Sequence, residues 1–131
     1  MFDRHFTVEQ VNALLPELCR LLEAIRSCRD RLAVDWQEAA PVLRQVRMNG
    51  GGKEVAPFVR DLQGINTTLR AFAELGVRVK DLEGGLVDFP SWREGREVFL
   101  SWKLGESEVR YWHEIGSGFA DRQALEMDWE R

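Results

Sequence analysis

Histidine is nearly missing from this chain: His5 and His113 are the only two among 131 residues. That scarcity excludes the zinc-protease helix motif, which needs two histidines one turn apart. Cysteine is as scarce, with Cys19 and Cys28 alone. On one helix the nine-residue separation would turn them by about 900° and lift them by roughly 13 Å, so they face opposite sides. They cannot bond to each other, and two lone thiols suit a reducing cytoplasm. A long apolar run and a leader-like segment are lacking too, so neither secretion nor a membrane span is expected. Finally, no basic stripe is present. Residues 1–80 carry 12 Lys/Arg and 10 Asp/Glu, a net of +2; residues 81–131 carry 6 and 12, a net of −6. Such an acidic balance disfavours nucleic acid, whose affinity comes largely from phosphate contacts.

What remains is an ordinary globular composition, 44% hydrophobic and 31% charged, enriched in tryptophan with five. The length predicts a single domain over 1–131. A chain this long buries roughly two-thirds of its unfolded surface and needs no metal or disulfide to hold a core.

The first half has a helical rhythm. Thr7 and Gln10 have the spacing of a capping box, and Phe6 and Val11 that of a hydrophobic staple. Apolar residues then step by three and four through Val11, Leu14, Leu18, Leu21, Ile25, Cys28 and Leu32, a heptad seam. Pro16 lies off the seam and predicts a mild kink. The rhythm falters at Asp35 and Pro41: either the first helix runs bent to about Arg47, or a second helix starts near Asp35, the reading favoured by Asp35 and Glu38 at cap spacing. Glycines 50–52 predict a loop. A further helix is expected from about 53 to 75, with Val55, Phe58, Leu62, Ile65, Leu69 and Phe72 as its seam and Gly76 as its C-terminal cap. Two such helices joined by a short loop pack antiparallel.

After Gly76 the period changes to two. Strands are expected around 77–80, at 86–89 ending before Pro90, at 97–104, and at 109–114. If Gly105 and Glu106 form a two-residue turn, Lys103 faces Glu108 and Phe99 faces Trp112. That register places Val98, Leu100, Trp102, Leu104, Val109, Tyr111 and His113 on one face, toward the helices. Glu114 then points to the opposite face, so His113 and Glu114 are not a ready acid–base pair. Glu106 would lie about seven residues from His113, roughly 23 Å along the strand, and reads as a turn residue. The fold class predicted is α+β: an antiparallel helical hairpin or bundle (about 7–75) on a small antiparallel β-meander (about 77–114), with a turn and tail over 115–131.

Several segments resemble a bacterial family designated domain of unknown function 2203. The likeness runs from residues 6–16 to about Leu125. Its most specific parts are Gly76-Val77, Lys80-Asp81-Leu82, the segments 85–90 and 102–106, Trp112-His113-Glu114, and 118–123. Similar proteins carry a cysteine where this chain has Ser101, so no cysteine ligand or nucleophile is required there. The resemblance implies a small cytosolic protein and names no reaction.

The candidate site is built around His113, with Asp88, Asp121 and Arg122. Asp88 ends an apolar strand, an odd place for an acid without a partner. Asp121 and Arg122 follow Gly116, Ser117 and Gly118, which let the chain turn back toward the sheet. An imidazole and two carboxylates, His113, Asp88 and Asp121, can hold a divalent ion. The same groups with Arg122 can form a buried ion-pair cluster instead. His5, ahead of the helix cap, reads as exposed. Trp92, Trp102 and Trp112 recur every ten residues, as strand-and-turn spacing gives. The preferred expectation is a non-catalytic, cytoplasmic homodimeric interaction module, with no cofactor, nucleic acid or membrane and room for an unknown protein partner. The competing expectation is a metal- or small-ligand-dependent enzyme at His113, Asp88 and Asp121.

Overall fold

Val8 opens the first helix, α1, which runs unbroken to Asn49 over 42 residues. The computed structural model describes residues 1–49 and 56–129, with the backbone alone described over 38–49 and at 56. The second helix, α2, spans Ala56–Leu75. Strands β1 (Arg78–Asp81), β2 (Leu86–Arg93), β3 (Arg96–Lys103), β4 (Tyr111–Glu114) and β5 (Gln123–Ala124) follow, with a 3-10 turn at Phe119–Asp121. The strands form one antiparallel sheet in chain order. The class is therefore α+β. The expected glycine loop at 50–52, the start of the later helix at 53 and the seam residue Val55 lie outside the described residues.

The chain divides into two compact units: Met1–Arg20 with Phe72–Arg131, and Leu21–Ala71. In the first unit the capping box forms in both directions. Gln10 N donates to Thr7 Oγ1 at 3.1 Å, and Thr7 N donates to Gln10 Oε1 at 3.0 Å. Gly76 closes α2 at φ 81, a conformation open to glycine, and its N–H donates to Ala73 O. Arg4 adds a donor to the last turn, bonding Leu75 O at 2.9 Å.

The sheet has one apolar face, formed by Val87 and Phe89 on β2, Val98, Leu100 and Trp102 on β3, and Trp112 on β4, all buried. Phe6 meets Phe89 edge-on with centroids 5.6 Å apart. Val8, Val11, Leu15 and Leu18 of α1 are buried in the same unit. Each such side chain contributes about 1.5–3 kcal/mol on burial.

Strand β2 passes through Pro90 instead of ending there. The Pro90 carbonyl accepts Phe6 N–H at 2.8 Å on the side away from β3. The ring nitrogen therefore faces an edge, where no ladder bond is lost. The strand ends in a tight hairpin with Glu94 at φ 50 and Gly95 at φ 79, both left-handed as a type I′ turn requires.

The β3–β4 register also departs from expectation. Observed partners are Val98↔Glu114, Phe99↔His113, Leu100↔Trp112 and Ser101↔Tyr111. The turn closes earlier, with Glu106 N donating to Lys103 O and Glu106 Oε1 accepting Lys103 N–H. Gly105 takes φ 107 as the third turn residue. Val109 N–H goes to Asn12 Oδ1 at 2.8 Å and does not extend the ladder. The resulting one-residue slip exchanges the faces of every β4 side chain. Tyr111 and His113 thus share a face with Phe99 and Ser101, not with Val98, Leu100 and Trp102.

In the second unit, Cys28 lies beside Gly64, Arg31 bonds Asp61 at 3.2 Å, and Trp36 meets Phe58 at 5.4 Å. Rising numbers on α1 meet falling numbers on α2, so the helices are antiparallel. Of the two readings of this stretch, the favoured second start at Asp35 is overturned, because α1 continues through it as a single helix. Asp35 is an interior residue of α1 and caps no new helix. The predicted α2 seam is corrected too. Phe72 is buried, but Leu62 and Leu69 are exposed, while Asp61 and Thr68 are buried. Polar partners decide this: Asp61 takes Arg31, and Thr68 Oγ1 donates to Gly64 O. Gly64 leaves room that a Cβ would close, standing 2.9 Å from Cys28 Sγ.

Candidate functional site

Cross-strand pairing sets one polar row into the second face of the sheet. Asp88 stands opposite Ser101, and Ser101 opposite Tyr111. The neighbouring row holds Pro90, Phe99 and His113. Directly opposed side chains on adjacent strands share a face, so Asp88 and His113 meet diagonally. Asp88, Ser101 and His113 are buried at 2%, 0% and 1% exposure. Phe99 packs on the His113 ring at 5.4 Å and Phe2 on Phe99 at 5.2 Å.

His113 uses both ring nitrogens. Nδ1 lies 2.8 Å from Glu114 O, and Nε2 lies 3.0 Å from Asp88 Oδ2. A carbonyl oxygen only accepts, so Nδ1 carries a proton. One proton then lies between Nε2 and Asp88. The pair is either carboxylic acid with neutral imidazole or carboxylate with imidazolium, and its net charge is zero in both forms. Burial pushes the Asp88 carboxyl above its usual range, opposed by the His113 hydrogen bond and by the charges of Lys80 and Arg122.

Arg122 covers the polar row. Its guanidinium lies 4.1 Å from the Tyr111 ring and 4.7 Å from that of Phe119. It donates to Ser101 O at 3.1 Å and to Glu106 Oε1 and Oε2 at 2.7 and 3.0 Å. Asp121, by contrast, is exposed on the 3-10 turn. The structure thus brings Asp88 to His113, sets Arg122 above their neighbours, and leaves Asp121 outside the cluster. Among the described residues no three His, Cys, Asp or Glu side chains are grouped to hold a metal ion.

Sequence reasoning missed Ser101, Glu106 and the role of His5. Ser101 and Glu106 depend on the register and turn, which the one-residue slip concealed. His5 is half-buried, not exposed. It stacks on Trp92 at 4.3 Å, and its Nε2 lies 2.7 Å from Glu97 Oε2. Phe2 N donates to the same oxygen at 2.8 Å. The Phe2 amide first, and His5 second, hold the Glu97 carboxyl below its usual value. The only available signal was an aromatic and an acid recurring in the strands beside an N-terminal His. A shallow cleft of about 170 Å³ lies here, lined by His5, Phe6, Thr7, Ser91 and Trp92.

The family model described as uncharacterized conserved protein DUF2203 matches residues 4–125. The chain belongs to that family. The matched span of this DUF2203 protein contains the whole His113 cluster and both helices. No curated protein and no solved structure matches it.

Proposed function

We propose that this DUF2203 protein is a non-catalytic interaction module that forms a homodimer through the exposed apolar face of α2. The observation carrying this reading is the exposure of Val59, Leu62 and Leu69, at 42%, 39% and 44%. Steps of three and seven put them on one helical stripe. Val34 and Trp36 of α1 are exposed as well, at 56% and 50%. Clustered apolar exposure of this kind marks an association surface. A stripe at heptad spacing is complementary to its own copy, which favours a second chain as the occupant.

The closed bonding of His113 supports the non-catalytic part. With Nδ1–H on a carbonyl and Nε2 on Asp88, the ring offers no lone pair to a metal or to a substrate proton. A reducing cytoplasmic setting fits Cys19 and Cys28, which are free thiols. Among the described residues, no helix is long and apolar enough to cross a membrane.

Light scattering on the eluting protein tests this. The wild type at micromolar concentration is expected at twice the 15.1 kDa chain mass. Leu62→Glu with Leu69→Glu is expected at the single-chain mass with unchanged helical circular dichroism. A wild type that is strictly monomeric at that concentration refutes the proposal.

A further inference from the structure

Among the described residues, three buried polar atoms of the cross-strand row and of the arginine packed on Tyr111 have no hydrogen-bond partner: Asp88 Oδ1, Ser101 Oγ and Arg122 Nε. Asp88 and Ser101 are direct neighbours on β2 and β3, and Arg122 is tied to Ser101 by its bond to the Ser101 carbonyl. Leaving a buried donor or acceptor unpaired is costly, so an occupant satisfying all three is strongly favoured. We infer that this site binds one buried water molecule bridging Asp88, Ser101 and Arg122.

The chemistry of the three atoms selects water. Arg122 Nε–H donates only, so the occupant must accept. Asp88 Oδ1 accepts when the carboxyl is ionised, so the occupant must also donate. Ser101 Oγ does either. Charge selects a neutral molecule. The Asp88–His113 pair sums to zero, and Arg122 is paired with Glu106. An anion would meet the Asp88 oxygen, and a cation would meet the guanidinium. All three atoms are buried. Internal waters typically make about three hydrogen bonds to otherwise unpaired groups. A direct Ser101–Asp88 bond is the simplest competitor, but it leaves Arg122 Nε without an acceptor.

The site has a structural consequence. Its donors and acceptors come from β2, β3 and the segment following the 3-10 turn, so one water joins three separate parts of the chain to the His113 pair.

A high-resolution crystal structure of the wild-type chain is the first test. A single spherical density within hydrogen-bond distance of all three atoms is expected. Empty space, a larger density, or Ser101 Oγ bonded directly to Asp88 Oδ1 overturns the inference. In solution, oxygen-17 relaxation dispersion should count one fewer long-lived water in Ser101→Val than in wild type; equal counts contradict it. Should that variant fail to fold, a water cross-peak to the Arg122 Nε–H in the wild type decides the matter, and its absence counts against the site.

Discussion

A histidine that gives its Nδ1 proton to a neighbouring carbonyl keeps one lone pair, on Nε2, and Asp88 takes it here. Asp88→Ala strips a buried nitrogen of its partner and should lower the unfolding free energy by about 1–3 kcal/mol. Asp88→Asn can still donate to Nε2 and should lose less than half of that; urea unfolding of both variants checks the order. The carboxylates also predict opposite pH slopes. Burial raises the folded Asp88 value above 3.8, so the unfolded chain ionises first and stability is lost as pH rises past 3.8. Asp88→Asn removes that loss, so the gap to wild type should narrow with rising pH. Glu97 and Glu114 behave in the reverse sense. The Phe2 amide and His5 lower Glu97, and Arg96 lowers Glu114, below 4.5. Their contribution is full above 4.5 and lost as pH falls through the depressed folded values. Glu97→Gln should therefore flatten the acid limb of a stability–pH curve. The pairing of Asp88 with His113 was suggested by an acid stranded in an apolar strand. Ser101 and Glu106 were not legible, because their neighbours depend on a register that side-chain type alone leaves open.

At the scale of elements, local signals held where local bonds decide and failed where a distant partner does. The Thr7–Gln10 cap and the Gly76 terminus are satisfied within a few residues of themselves. Pro90 and the β3–β4 turn are set by Phe6 and Asn12, at sequence distances no periodicity reports. The α2 seam shows the same effect: an apolar heptad was legible, but Asp61 and Gly64 turn the other stripe inward. Gly64→Ala tests this packing. A Cβ there meets Cys28 Sγ at 2.9 Å, which should outweigh the gain of about 1 kcal/mol in helix propensity. In a Cys28→Ala background the clash disappears and the same substitution should stabilise. A double-mutant cycle by thermal unfolding should give a coupling of about 1–3 kcal/mol.

Across the whole molecule, the first six residues stitch the sheet that lies 80 or more positions away. Phe6 N–H bonds Pro90 O, Ser91 Oγ bonds Phe6 O at 2.6 Å, and Phe2 N–H reaches Glu97. Phe6 is 2% exposed, so Phe6→Ala should cost about 3–5 kcal/mol in unfolding free energy measured by tryptophan fluorescence. The change of rhythm near Gly76 was enough to read an α+β fold, since it needs only the period of apolar residues. Which face of the sheet receives His113 needed the register. The non-catalytic reading of His113 rests on that face and on the protonation it enforces. Nitrogen-15 NMR of the His113 ring measures it directly. A proton on Nδ1 is expected in the folded chain, with Nε2 bonded to Asp88. An Nδ1 without its proton, or an Nε2 that binds added zinc while the fold is intact, would contradict it.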